Sequence, residues 1–217
     1  MRIFQRHYWC ASTIIVALLA VTLGGMAEES QLPVFGRDTV LVWKIQIQDF
    51  DSEFVVRIAE FSPDRFLEWE DTKTQGTIFM PSRDILSARN YVTTNLFESG
   101  MDTRGKNATT LWLSRKIFQS LKEKGKVKCD LDGITCLMTY RGSDHLAVDV
   151  NRNSADLPVI KVADDRGSER WFLDQEDNPL MVKHVVRAFS QTLASITTDR
   201  PNTLRWIKGK KLTNLPH

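Results

Sequence analysis

The sequence predicts a mainly β protein, an antiparallel barrel, half-open barrel or sandwich, with one amphipathic helix at about 114–124. Three observations carry that prediction. Apolar residues recur with a period of two in many short runs, and turn residues punctuate the chain every eight to twelve positions or so. Between the runs, only the stretch after Ser114 combines helical spacing with both a cap and a stop.

The elements follow in order. Leu41, Trp43, Ile45 and Ile47 alternate with Val42, Lys44, Gln46 and Gln48, which marks a half-buried strand because successive side chains leave a strand on opposite faces. Phe54, Val56 and Ile58 repeat the pattern, with Asp49 to Ser52 as the connecting turn. Ser62-Pro63-Asp64 breaks the chain before a third run, Phe66 to Glu70, with Leu67 and Trp69 on one face. Thr77 to Met80 and Tyr91 to Phe97 read as further strands, and Ser99 to Thr110 as the longest polar loop. Ser114 can cap a helix running to Lys124, with Ile117, Phe118 and Leu121 on its apolar face and Gly125 as its stop. Leu146, Val148 and Val150, then Pro158 to Ala163, then Arg170 to Leu173 complete the clear strands. The segment 179–198 has two readings. Val182, Val185, Val186, Phe189, Leu193 and Ile196 fit a helical stripe behind Asn178-Pro179, while Phe189, Gln191 and Leu193 also alternate.

The N-terminus has the composition of a secretory signal. Arg2 and Arg6 precede the chargeless run Ala11 to Leu23, which ends in Gly25-Met26-Ala27, so the expected cut falls between Ala27 and Glu28. This divides the chain into a signal peptide (1–27), a single β-rich domain (28–199) and a basic tail (200–217), and places the protein in the periplasm or cell envelope. An uncleaved N-terminal membrane anchor is the alternative, because Tyr8 to Ala27 carries no charge and is long enough to cross a bilayer. Without Arg2 and Arg6 the chain has 27 basic and 27 acidic residues. That balance gives no electrostatic case for nucleic acid. Only the tail is biased, with Arg200, Arg205, Lys208, Lys210 and Lys211 beside Trp206 and Ile207, a composition suited to weak contact with a membrane surface or an acidic partner.

Export gives the cysteines a meaning. Cys129 and Cys136 flank Asp130-Leu131-Asp132-Gly133-Ile134-Thr135, and an Asp-Gly pair favours a tight hairpin. Centring the turn on Asp132-Gly133 sets Cys129 opposite Cys136, within reach of a disulfide in an oxidising compartment.

Trp112-Leu113-Ser114-Arg115, Asp165-Arg166-Gly167, Trp171-Phe172-Leu173-Asp174 and Asn178-Pro179-Leu180 resemble a group of uncharacterised exported bacterial proteins, some of which carry a similar region ahead of an outer-membrane-protein-A-like domain. The resemblance implies a β-rich fold, an envelope location and strands after Pro179. It brings no catalytic residues.

No catalytic motif is legible. There is no His-Glu-x-x-His, no Gly-x-Ser-x-Gly elbow and no phosphate-cradling glycine loop. His145 and Asp149 fall on the polar face of a strand, too far apart to act together directly. The acidic clusters Asp49-Phe50-Asp51-Ser52-Glu53 and Asp174-Gln175-Glu176-Asp177-Asn178 read as solvated turns, with a surface Ca²⁺ loop as the alternative. Asp164 and Asp165, as neighbours on a strand, point to opposite faces and do not share a site. The sequon Asn107-Ala108-Thr109 matters only in a glycosylating host. Trp43, Trp69, Trp112 and Trp171 read as core. The expected function is therefore a non-catalytic envelope binding or scaffold domain, with no cofactor or metal, acting on an envelope protein, lipid or polysaccharide. A carrier enclosing a lipophilic ligand in its barrel and a hydrolase using carboxylates in a cleft are the alternatives.

Overall fold

The structure, a computed structural model, describes residues 32–93, 102–104 and 107–198. The leader with its cut at Ala27/Glu28, the tail 200–217 and the second half of the strand expected at 91–97 lie outside the described residues.

The chain is mainly β, as its periodicity predicts. Strands β1 (Val40–Ile47), β2 (Phe50–Glu60), β3 (Arg65–Glu70) and β4 (Gln75–Met80) form a meander. A short helix α1 (Ser82–Ser87), which no apolar periodicity announces, precedes β5 (Asn90–Val92), β6 (Asp102–Arg104) and β7 (Ala108–Thr110). The amphipathic helix α2 (Arg115–Lys124) leads into β8 (Lys126–Leu131), β9 (Ile134–Val150), β10 (Asn153–Asp164), β11 (Glu169–Leu173), β12 (Met181–Val186) and β13 (Phe189–Thr197). Ser114 Oγ accepts the Ile117 N–H at 3.3 Å, and Gly125 ends α2 in the left-handed region at φ 71°.

Among the described residues the thirteen strands lie in one sheet, in the order β6-β4-β3-β2-β1-β13-β12-β11-β10-β9-β8-β5-β7. The sheet is mixed rather than purely antiparallel: β4–β6, β5–β7, β5–β8 and β13–β9 are parallel. The last pairing has an architectural role. Ser195 and Ile196 meet Asp149 and Val150, so β9 to β13 close into a partial ring that hides strand edges.

Two sequence expectations change and one open reading is decided: the polar loop expected at Ser99 to Thr110 holds the short strands β6 and β7, which pair in parallel with β4 and β5. The turn placed at Asp49 to Ser52 shrinks to Gln48-Asp49, because Ile47 pairs directly with Phe50 and Gln48 adopts φ 52°. Segment 179–198, open between helix and strand in the sequence, is two strands, as the resemblance implies. The break at Arg187, with φ 50°, turns β12 back onto β13 so that each half buries its alternating side chains.

Among the described residues the core is one continuous cluster. Trp43, Trp69 and Trp112 are wholly buried with Leu41, Val56, Ile58, Leu67, Phe172 and Leu193. Two of the indoles place their N–H on a partner from another element: Trp43 Nε1 donates to Met181 O at 3.1 Å and Trp112 Nε1 to Asn178 Oδ1 at 2.6 Å. Arg65, 3% exposed, lies between the rings of Phe61 and Trp112, 4.6 Å from each centroid. Burial lowers its pKa to about 9, which leaves it cationic at neutral pH.

Candidate functional site

Four hairpin turns gather at one end of the sheet: Gln48-Asp49, Asp132-Gly133, Asp165-Arg166-Gly167 and Arg187-Ala188. They are tied in pairs. Gln48 N–H donates to Ala188 O at 3.1 Å, while Asp165 N–H donates to Leu137 O at 3.2 Å and Arg166 Nη1 to Leu131 O at 3.4 Å. Between the two pairs opens a cleft of about 550 Å³, in the size range of small-molecule sites.

The strand register dictates the walls. Ile47 is directly opposite both Phe50 and Phe189, and Phe189 is directly opposite Val186, so one apolar rung crosses β2, β1, β13 and β12 on a single face. Across the cleft, Leu131 is opposite Ile134 in the β8–β9 hairpin. Phe50, Ile47 and Ile134 are 53%, 46% and 56% exposed, unusual for side chains of this size.

The floor is polar, and register dictates this too. Arg170 on β11 is directly opposite His184 on β12. Both are nearly buried, 4% and 6% exposed, and Ser168 Oγ shares a 2.9 Å hydrogen bond with His184 Nε2. Arg170 Nη1 donates to Asp164 Oδ2 at 2.7 Å, and its Nε is buried without a partner. Asp164 Oδ1 accepts the N–H groups of Arg166 at 2.9 Å and Ser168 at 3.0 Å, a turn held by its own carboxylate. Burial alone would raise the Asp164 carboxyl, but the Ser168 N–H, the Arg170 guanidinium and the Arg166 N–H together hold it below the usual carboxylate range. Arg166 and Arg187, both exposed, add cationic groups to the lining. Asp132 Oδ1 is engaged by the Thr93 N–H at 2.7 Å.

A serine bonded to a histidine invites comparison with a nucleophile and its base. The electrostatics oppose it. Burial first, and the facing Arg170 second, lower the His184 pKa to about 3. Taking the serine proton near neutral pH would then cost several pKa units, at about 1.4 kcal/mol each. In the structure the pair is a buried hydrogen bond in the cleft floor.

The residues singled out in the sequence fall elsewhere. His145 is exposed on β9 opposite Pro158, and Asp149 pairs with Ser154 and Ser195 at the ring closure. Asp165 is exposed at its turn while Asp164 turns inward, so the adjacent carboxylates are separated as the strand pattern requires. In the first acidic cluster, Glu53 lies opposite Lys44 and Asp51 opposite Gln46 across β1–β2. The second docks α2: Lys122 pairs with Asp174 at 2.8 Å, and Arg115 with Glu176 and Asp177. Asn107, the sequon asparagine, is exposed at φ 53° and its Oδ1 accepts the Arg89 N–H at 3.3 Å. Among the described residues no group of three or more His, Cys, Asp or Glu is arranged to hold a metal ion.

Cys129 and Cys136 are buried and directly opposed on β8 and β9, with sulfurs 4.0 Å apart, in the structure two thiols in contact. Contact with Cys136 and then burial push the Cys129 thiol up. Arg170 acts to lower the pKa of both thiols, and Asp164 to raise that of Cys136.

The cleft was missed from sequence because it belongs to no one segment. One signal existed: as strand residues, Arg170 shares a face with Phe172, and His184 shares one with Val182 and Val186, so both are polar groups on a buried face.

No family model matches the chain, and no curated protein and no solved structure matches it.

Proposed function

We propose that this chain is an exported, non-catalytic binding domain of the cell envelope, and that it binds through the cleft at the turn end of its sheet. One observation carries this reading. The cleft of about 550 Å³ gathers the guanidinium groups of Arg166, Arg170 and Arg187 beside an exposed apolar rung, a surface suited to receiving an anion. The signal-like composition of residues 1–27 and the resemblance to exported bacterial proteins support the envelope location, and the near-neutral charge argues for a partner other than nucleic acid. The carrier alternative, with its ligand inside the barrel, has less support because the interior is occupied by side chains of the core cluster. The hydrolase alternative, with carboxylates in a cleft, has less support because Asp164 is tied to Arg170 and Asp165 is exposed at its turn.

The test has two arms. N-terminal sequencing of protein recovered by envelope fractionation should begin at Glu28, and recovery of intact Met1 in the membrane fraction would favour the anchor. The purified protein is screened against esters, glycosides and phosphoesters beside Ser168→Ala. Turnover that disappears in the variant would replace the binding reading with the hydrolase.

A further inference from the structure

Resting on the reading of the cleft as a binding site, we propose that its ligand is a single-chain anionic amphiphile, a fatty carboxylate. Its head would lie on the arginine floor and its chain along the apolar rung Phe50–Ile47–Phe189–Val186. Three features of the cleft converge on this chemistry.

The first is charge. Arg166, Arg170 and Arg187 line the cleft with Asp132 and Asp164, so the lining carries one net positive charge. That matches a monoanion better than a dianion. Both acids are already engaged, Asp164 by Arg170 and two backbone N–H groups, Asp132 by Thr93. Arg166 and Arg187 are exposed, so their guanidinium groups are open to a ligand in the cleft. A carboxylate is the natural partner for a guanidinium fork.

The second is the placement of apolar surface. Strand ends near hairpin turns are ordinarily polar, yet here four apolar side chains on neighbouring strands form one line, and that line begins outside the cleft at Phe50 and ends inside it at Val186. Leu131 and Ile134 offer a second apolar surface on the opposite side. A ligand with a charged head and an apolar body satisfies floor and walls together. A small inorganic anion would leave the walls wet, and an uncharged apolar molecule would leave Arg170 and Arg166 facing hydrocarbon.

The third is size. At about 550 Å³ the cleft is of single-ligand scale, and its Ile47–Phe50 side is open, so a chain can continue onto the surface. The proposal places the ligand between the turns, and so differs from a carrier that encloses its ligand inside the barrel.

The test uses the purified full chain and oleate held below its micelle concentration, followed by calorimetry and tryptophan fluorescence. Saturable binding of one oleate per chain is expected. Oleyl alcohol, which has the same body without the charge, should bind at least tenfold more weakly, and inorganic phosphate should not compete. Arg166→Gln with Arg187→Gln removes two exposed charges and should weaken oleate at least tenfold while circular dichroism and a cooperative melt show that the protein stays folded. Ile47→Ser should weaken oleate and oleyl alcohol alike. The proposal is overturned if oleate does not saturate, if oleyl alcohol binds as well as oleate, or if the double arginine variant binds unchanged. Binding to phosphatidylglycerol vesicles without binding of monomeric oleate would also overturn it, in favour of docking on a lipid surface. Failure of the underlying reading is separately visible, as ester turnover lost in Ser168→Ala with the oleate isotherm unaffected.

Discussion

Ser168 Oγ and His184 Nε2 meet at 2.9 Å inside the protein, and the histidine in that bond is neutral because burial and Arg170 disfavour its charge. The relationship has a pH signature. The folded pKa is lowered to about 3 while the unfolded chain titrates near 6.5, so above about pH 6.5 neither state takes the proton. Between about 6.5 and 3 the unfolded state binds it and the native state does not, so stability falls as pH falls through that window. The loss is at most about 4–5 kcal/mol at 1.36 kcal/mol per unit. His184→Gln should flatten the dependence of the urea midpoint on pH between about 6 and 4. An unchanged slope would mean that His184 becomes charged in the folded protein. Asp164 acts in the same direction but only below its unfolded value, about pH 4, and does not mimic the effect.

Cys129 and Cys136 are expected to be joined in protein taken from an oxidising compartment, since the register already sets them face to face. Closing the present 4.0 Å to a bonded 2.05 Å or so requires a small adjustment of two side chains. Non-reducing peptide mapping should return one intramolecular pair, resistant to alkylation until reduced. Free labelling of both thiols in native envelope protein would rule this out. The double Ser variant should lose no more than about 3 kcal/mol, because the closed loop is short.

What could be read in the sequence and what could not divide along a physical line. Alternation at Leu41, Trp43 and Ile45, the cap at Ser114 and the Asp132-Gly133 turn are local signals, each decided by a few neighbours, and each appears in the structure. Whether β9 would reach β13 is not local. Asn151, at the β9–β10 turn, donates its N–H to Ile196 O and shares side-chain bonds with Thr198, and nothing near either residue foretells it. The cleft is more distant still, drawn from four turns that each look solvated alone. The two open readings of 179–198 also hid it, because only the strand reading sets His184 beside Val182 and Val186.

Trp112 Nε1 donates to Asn178 Oδ1 at 2.6 Å, both residues buried. Asn178→Ala should strand the indole N–H and cost about 1–3 kcal/mol in urea denaturation. In a Trp112→Phe background no donor is left to strand, so the same substitution should cost clearly less. Equal costs in the two backgrounds would show that the bond contributes nothing beyond packing.

Gly76 on β4 is directly opposite Trp69 on β3, and the indole lies flat across the glycine. A Cβ built at Gly76 would stand 2.8 Å from Trp69 Nε1 and 2.9 Å from Cε2 and Cζ2, closer than side-chain carbons are found to approach. The ring cannot swing aside freely. Trp69 is 1% exposed and packs against Phe54, with ring centroids 5.8 Å apart, so moving it displaces the β1–β2–β3 core. Gly76→Ala should therefore destabilise the fold by about 1–3 kcal/mol, the usual cost of overpacking, despite the better strand propensity of alanine. Gly36→Ala is the control: a Cβ there meets nothing within 4 Å, and the change should stay within about 0.5 kcal/mol. Shrinking the ring should reverse the first effect, so Gly76→Ala measured in a Trp69→Leu background should cost less than in wild type. If Gly76→Ala is as mild as Gly36→Ala in thermal melts, the indole does not lie over β4, and the β3–β4 face is packed differently from this arrangement.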